Sequence, residues 1–344
     1  MDNKILVINL MHIGDLLLVT PVLRTLRSNF PSAHIALLAD AKIADLVKYN
    51  KNIDRLIAID KKGYHDKLWN YIKLIREIRR EKYDLVINLH RNERASFLAG
   101  LSGAKKIVGY STFGPNVFFD RVIENRKRVK HQVEAHFDVL RETLGISLID
   151  DRGIEMWLDE AAEADASRIW AEAFGTGDCK VVGLNSGASW PTKRWPKEHF
   201  AALADRLLDL GYGVVYFGGP MDEALVRDTV ALMKNPANPR LAVFTGRVNL
   251  LVLAALFKKC AALVTNDSGP MHIAVAMDIP LVSIFGASPV VGFSPYNDKS
   301  VVIKSTADCH PCYRHHCDTL HCMTGISVEQ VLAAALGTMA KNQS

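Results

Sequence analysis

The chain contains no apolar run approaching the roughly 20 residues of a membrane span, so any membrane contact is expected to be peripheral. A signal-peptide pattern is also missing: the first residues pass straight into an apolar run of strand length, with no cleavage site. The expected location is therefore the cytoplasm, with peripheral contact at the inner face of its membrane. Net charge is small, +5 from 42 Lys and Arg against 37 Asp and Glu. That is too little to argue for nucleic acid, and it is compatible with an acidic substrate such as a nucleotide or a phosphorylated lipid. The densest basic stretch, Arg126 to Lys130, is short and reads equally as a solvated turn. Cysteines number only six, and in a reducing compartment they are not expected to pair. No G-x-G-x-x-G fingerprint follows the first strand, which disfavours dinucleotide binding. No short-period repeat is present.

What the chain has is alternation. Ile5–Leu10, Ile35–Ala39, Arg55–Ile59 and Leu85–Leu89 read as strands, with helices expected at Leu16–Asn29, Ala41–Tyr49 and Leu68–Glu81. The plan then repeats. Val181–Leu184, Val214–Phe217, Ala261–Thr265 and Leu281–Ile284 read as strands, and Glu198–Leu210, Glu223–Met233, Leu250–Lys259 and Pro270–Met277 as helices. An Ala-rich helix is expected at Glu160–Gly177, in a linker region spanning Asp150–Asp178, and a last amphipathic helix at Ser327–Ala340. Strands apolar throughout and separated by helices predict parallel sheets covered on both faces. The 344 residues suit two such α/β domains, 1–160 and 161–344, with a cleft expected between them. Ligands of open α/β sheets bind beyond the carboxyl ends of the strands, so the loops there are where chemistry is expected.

The first such loop is Met11-His12-Ile13-Gly14-Asp15. Gly14 permits a close turn, and Asp15 reads either as a general base at the mouth of the site or as a helix N-cap. Thr20-Pro21 offers a competing helix start. The second loop, Asn185 to Pro196, places Ser186, Gly187 and Ser189 where backbone N–H groups face an anion, followed by Lys193 and Arg194. A lysine there suits a leaving diphosphate that gains charge as its bond to a sugar breaks, although a solvated basic loop has the same composition. Trp195-Pro196 reads as the anchor of this loop. The third, Asn266 to His272, opens a helix with Ser268 or Gly269 as cap and Pro270 in the first turn. Its N-terminus suits a phosphate; Asp267 then accepts sugar hydroxyls or pairs with Lys193, and His272 is either near the phosphates or structural. In the fourth loop, Gly218-Gly219 permits close approach of a nucleotide, and Asp222 or Glu223 suits ribose or sugar hydroxyls, or simply an acidic first helical turn.

The segments HIGDLLLVTPVLRTLR, SWPTKRWPKEHF and TNDSGPMHIAVAMDIPLVSIFG, in this order, resemble glycosyltransferase family 9, the ADP-heptose:lipopolysaccharide heptosyltransferases, from Lys4 to about Val331. The resemblance implies a GT-B fold of two Rossmann-like domains, acceptor-binding first and nucleotide-sugar-binding second. It implies inverting transfer from a nucleoside diphosphate sugar, ADP-heptose, to a phosphorylated, lipid-linked saccharide of the lipopolysaccharide inner core, with no cofactor and no catalytic metal. By position it makes Asp15 the general base and Lys193 the diphosphate-stabilising lysine. Asp267, Ser268, Gly269 and His272 become the donor turn, and Ser186, Gly187, Ser189, Gly219 and Glu223 further donor contacts, with Glu223 and Asp222 interchangeable by one residue. His90, Arg91 and Arg94 are the acceptor candidates, with Lys130, His131 and His136 behind them. Domain closure is expected to exclude water.

One feature departs from this pattern. Cys309, Cys312, Cys317 and Cys322 are interleaved with His310, His315, His316 and His321. The composition suits a metal site, but the spacing is not the usual paired one, so reduced thiols are the favoured reading and no metal ligand is assigned. Two rival functions stay in view. One is a sugar-nucleotide epimerase of similar architecture, which needs further acid and base groups. The other is a metal-stabilised interaction module built on the Cys/His loop.

Overall fold

The computed structural model describes residues 4–112, 114–175, 177 and 179–341; Asp178, the last residue of the expected linker, lies outside them. The chain divides into two compact units, Met1–Trp157 and Leu158–Ser344.

The first unit is built on β1 (Lys4–Ile8), β2 (His34–Asp40), β3 (Arg55–Ile59), β4 (Leu85–Asn88), β5 (Lys106–Gly109) and β6 (Arg121–Val122). Its helices are α1 (Ile13–Leu17), α2 (Thr20–Asn29), α3 (Leu68–Arg80), α4 (Glu93–Gly100) and α5 (Gln132–Leu144). All strand pairs are parallel, in the order β3-β2-β1-β4-β5-β6. The central strands are buried on both faces, which is why they read as unbroken apolar runs. Helices α3 and α4 share a core with Leu6, Ile8, Leu38 and Val86 on one face of this sheet. The connection from β1 to β2 runs in the opposite direction, so its right-handed crossover puts α2 on the other face, where α5 packs against it.

The second unit repeats the plan with β7 (Val181–Asn185), β8 (Gly213–Phe217), β9 (Leu241–Val243), β10 (Ala262–Asn266), β11 (Leu281–Phe285) and β12 (Val301–Lys304). Its helices are α6 (Glu160–Phe174), α7 (Lys197–Asp209), α8 (Glu223–Ala231), α9 (Leu250–Phe257), α10 (Gly269–Ala276), α11 (Val290–Phe293), α12 (His321–Thr324) and α13 (Val328–Lys341). The sheet order β12-β11-β10-β7-β8-β9 is the order of the first sheet read from the other edge. Both are the Rossmann arrangement, whose strand order reverses between the first and fourth strands, β1/β4 and β7/β10.

Three expected elements differ. The helix expected over Leu16–Asn29 is two helices, because Pro21 has no N–H to continue the ladder from α1; Thr20 Oγ1 instead donates to Leu17 O at 2.7 Å. The helix expected at Ala41–Tyr49 is a set of turns around one tight turn at Ala44–Val47, broken at Ile43 (φ −129°). The helix expected to reach Gly177 stops at Phe174, where Gly175 takes φ +69°.

One charged network ties α2 to the end of the first unit. Arg24 is buried, and its guanidinium reaches Asp150 Oδ1 at 3.0 Å, Glu155 Oε2 at 2.7 Å and the Gly153 carbonyl at 2.8 Å. Arg24→Ala leaves two carboxylates without their shared cation and is expected to cost about 3 kcal/mol in urea unfolding. A loss under about 0.5 kcal/mol would show the network to be worth no more than a surface pair.

Candidate active site

In the second unit, the loops that follow β7 and β10 meet at the strand-order reversal. Asn266 ends β10 fully buried. Its Oδ1 accepts from Trp195 N at 3.0 Å, and its Nδ2 donates to Ser186 O at 2.8 Å. Asn185 ends β7, and its Nδ2 reaches Gly187 O, Thr265 Oγ1 and Ser268 Oγ at 3.3, 3.2 and 3.5 Å. Trp195 is buried and donates from Nε1 to Ile326 O at 2.9 Å, which anchors the far end of the loop. Pinned on both sides, the loop brings Lys193 Nζ to 2.6 Å from Asp267 Oδ2, with the carboxylate almost wholly buried. The same ammonium lies 4.4 Å from the centre of the Trp190 ring, a cation–π contact that holds it in place.

Ser268 is the N-cap residue of α10, with Pro270 in the first turn. Its hydroxyl is turned to Thr265 (3.2 Å) and Asn185 and makes no cap bond; Pro270 has no N–H and Met271 N donates to Ser268 O at 3.2 Å, so the Gly269 N–H is the one left at this end to meet an anion. Gly269 begins this helix, and His272 sits buried one turn in. Ser186 is buried, and its Oγ has no partner among the described residues; Ser189 is exposed. A Cβ at Gly187 would collide with the Asp222 carboxylate, which caps Gly219 N at 3.0 Å. Asp222 therefore seals the neighbouring loop. Glu223, exposed, packs toward Gly246 and lines an open cleft of about 470 Å³ with Thr245 and Arg247.

The Cys/His loop braces this site. His315 stacks on Trp190, ring centres 3.9 Å apart and 29° between planes, and the Arg314 carbonyl accepts from Thr192 Oγ1 at 2.6 Å. The loop hangs from the end of β11, with Cys312 N and Tyr313 N both donating to Ala287 O and the His310 ring against Gly286 O. Its four cysteines are free thiols. Burial pushes the Cys322 thiol up, and the proximity of Cys309, Cys312 and Cys317 adds to the shift. Among the described residues no three His, Cys, Asp or Glu side chains converge as a metal site.

In the first unit, Asp15 stands in the first turn of α1, whose N-cap is His12; it is not itself the cap. Burial raises its carboxyl pKa, and Lys127, His12 and nearby backbone N–H groups draw it only part of the way back. His90 follows β4 and is nearly buried. Burial, then Lys61, His12 and Lys127, push its imidazole down to about 4, so it is neutral at physiological pH. Its Nδ1 has no partner among the described residues. Arg91 is exposed. Arg94 is committed elsewhere: its guanidinium donates to Lys61 O at 2.7 Å and Asp66 Oδ1 at 3.0 Å. Lys130 pairs with Asp138 at 2.6 Å, His131 caps α5, and His136 is buried against Tyr110 and Gln132.

Two cations near Asp15 and His90 escaped the sequence reading. Lys127 belongs to a basic stretch that looks like a solvated turn. Lys61 ends up bonded to Leu10 O at 2.5 Å and paired with Asp40 at 2.8 Å. A signal for the geometry was present in the sequence: Leu-Val-Ile-Asn-Leu occurs at 6–10 and again at 85–89. The two copies lie on adjacent parallel strands. Asn9 accepts from Met11 N at 3.0 Å, and Asn88 accepts from His90 N at 3.2 Å while donating to Tyr110 O at 2.7 Å. Each buried amide shapes the loop after its strand.

Comparison with known proteins identifies the family and agrees with the fold. The family model for glycosyltransferase family 9 (heptosyltransferase) matches residues 71–323. The chain is 28% identical over 297 residues to lipopolysaccharide heptosyltransferase 3 of Escherichia coli, covering 84% of this chain and 85% of that protein. Among solved structures, the family 9 glycosyl transferase of Veillonella parvula DSM 2008 superposes with TM-score 0.90 at 35% identity, over 99% of this chain and 98% of that one. The E. coli ADP-heptose lps heptosyltransferase II superposes with TM-score 0.81 at 22% identity over 99% and 100%, which shows the shared GT-B fold. With two Rossmann sheets and a family match over most of its length, the chain belongs to glycosyltransferase family 9, the heptosyltransferase family.

Proposed function

We propose that this enzyme transfers heptose from ADP-heptose to a phosphorylated, lipid-linked saccharide of the lipopolysaccharide inner core, with inversion at the anomeric carbon and without a catalytic metal. The name of the E. coli structural relative supports the donor, and those of the curated heptosyltransferases the acceptor. The observation that carries the reading is the Lys193–Asp267 pair beside the open N-terminus of α10, at the strand reversal of the second sheet.

In this reading the donor diphosphate lies against Lys193 Nζ and the Gly269 N–H at the start of α10. As the sugar–oxygen bond breaks, its electron pair passes to the diphosphate oxygen. The ammonium and the helix terminus are already placed to meet that charge. Asp267 holds the lysine in place; Glu223 and Thr245, whose hydroxyl has no partner among the described residues, suit ribose hydroxyls at the adjoining cleft. Ser186, Gly187, Ser189, Gly219, Ser268, Gly269 and His272 complete the donor side. The acceptor hydroxyl attacks the anomeric carbon from the face opposite the leaving group, and Asp15 takes its proton. A desolvated carboxylate is a stronger base than one in water, which is what this role needs. Neutral His90, with Arg91, is assigned to acceptor binding. Arg94 is assigned to shaping the acceptor side through its bonds to Lys61 and Asp66. The proposed place of action is the inner face of the cytoplasmic membrane.

Calorimetry without added metal tests the donor site. ADP is expected to bind wild type and to bind Lys193→Ala about 10–100-fold more weakly, the worth of a charge-assisted contact. Preference for UDP or GDP would discard heptose as the sugar, and equal ADP affinity in the variant would remove Lys193 from the site.

The pH profile of kcat/KM tests the base. Asp15 acts only when ionised, so activity is expected to fall as pH drops through a carboxylate pKa above the ordinary 3.8. Lys127 lowers that pKa, so Lys127→Gln is expected to move the acid limb to higher pH. Asp15→Asn is expected to lower kcat by about 10²–10⁴-fold. An acid limb unmoved by Lys127→Gln would assign it to another group.

A further inference from the structure

Helix α3 carries an unusual outer face. Trp69, Lys73, Arg76 and Arg80 follow one another at spacings of four, three and four, so they form a single stripe along the helix. The opposite face supplies Leu74 and Ile78 to the core, with Tyr71 and Ile75 packed beside them. The helix is therefore fixed, and the stripe is left outward. Trp69 is 77% exposed, and next to it Leu68 is 67% and Tyr64 51% exposed.

Charge is concentrated in the same place. Residues 61–80 hold seven Lys and Arg against two Asp and Glu, a net +5 equal to that of the whole chain. The two carboxylates do little to offset it. Asp66 is paired with Arg94, and Glu77 lies on the flank of the stripe. Lys61 is paired with Asp40, and Arg79 turns toward Leu101 O, but Lys62, Lys67, Lys73, Arg76 and Arg80 make no ion pair among the described residues. Helix α4, joined to α3 by the Tyr71 hydroxyl on Arg94 O, exposes Phe97, and the turn packed on α4 exposes Val117 and Phe118.

We infer that this face docks on the surface of an anionic phospholipid bilayer. A leucine and two aromatic rings at one end of a cationic stripe give this face the two kinds of group that an anionic membrane surface takes up, rings among the headgroups and cations against lipid phosphates. No described helix is long and apolar enough to cross a membrane, and the core-facing side of α3 holds it parallel to the protein surface. A second copy of the chain is a poor occupant, since two such faces repel one another. Docking is independent of the transfer reaction and is read without it.

The test is sedimentation of the full chain with vesicles of phosphatidylcholine alone or mixed with phosphatidylglycerol. Binding is expected only to the mixed vesicles and is expected to weaken in 0.5 M salt. Neutralising three exposed cations together, as Lys73→Gln, Arg76→Gln and Arg80→Gln, is expected to reduce binding by about 100-fold, at roughly fivefold for each charge. Trp69→Ala is expected to reduce it less and to abolish any blue shift of tryptophan emission on vesicle addition. Circular dichroism and ADP binding of the variants should match wild type, since every substituted residue is exposed and outside the donor unit. Absence of binding by the folded wild type, or binding unchanged in the triple variant, overturns the inference. Capture of an acidic protein in place of vesicles overturns it equally.

Discussion

The proposed donor site depends on two buried amides. Asn266 and Asn185 end neighbouring strands buried away from the surface, so their polar atoms need partners inside the protein. They do this by holding the backbone of the loop between β7 and α7: Asn266 fixes Ser186 and Trp195, and Asn185 fixes Gly187 and reaches Thr265 and Ser268. Lys193 lies inside that fixed span. Its ion pair with Asp267 therefore follows from where the chain is tied, and the flexible side chain has little freedom left to lose when an anion arrives. The stack of His315 on Trp190 and the Arg314–Thr192 bond add a brace from a distant part of the sequence.

How much of this could be read from the sequence varies with burial. Strands such as Val181–Asn185 are legible because both faces are covered and the run up to its closing asparagine carries no polar side chain. Strand β5 and the edge strands β6, β9 and β12 have only 4, 2, 3 and 4 residues, too short for a strand pattern to stand out from the loops around them. The loops after β1, β7, β8 and β10 stood out by residue type, and they lie at the carboxyl ends of strands as Rossmann sheets require. What was not legible is contact between distant segments. The commitment of Arg94 to Asp66, the reach of Lys127 to Asp15 and the brace from the Cys/His loop each join residues dozens of positions apart. The twin Leu-Val-Ile-Asn-Leu segments were visible, yet their meaning appears only when the two strands lie side by side.

In the proposed mechanism, two aspartates illustrate how surroundings divide similar groups between tasks. Asp267 is almost wholly buried, and the Lys193 ammonium 2.6 Å away fixes it in position. Asp15 is desolvated, and Lys127 and His12 offset that burial only in part, so its proton affinity rises. The first arrangement suits a fixed charge and the second a group that must accept a proton.

Composition hides charge in the same way that it hides contacts. A net +5 spread over the whole chain would be unremarkable for a binding surface. Concentrated between 61 and 80, it gives one helix face a field that the remainder of the chain, balanced in sign, does not cancel. Amphipathic helices of ordinary domains present mixed charges to water; this one presents cations and an exposed tryptophan. Exposed rings carry a cost in solution, since water orders around them and aggregation becomes easier. A fold that keeps Leu74 and Ile78 buried had every opportunity to place a polar residue at position 69. The tryptophan there is most simply understood as contact area for a surface that is itself part apolar and part anionic.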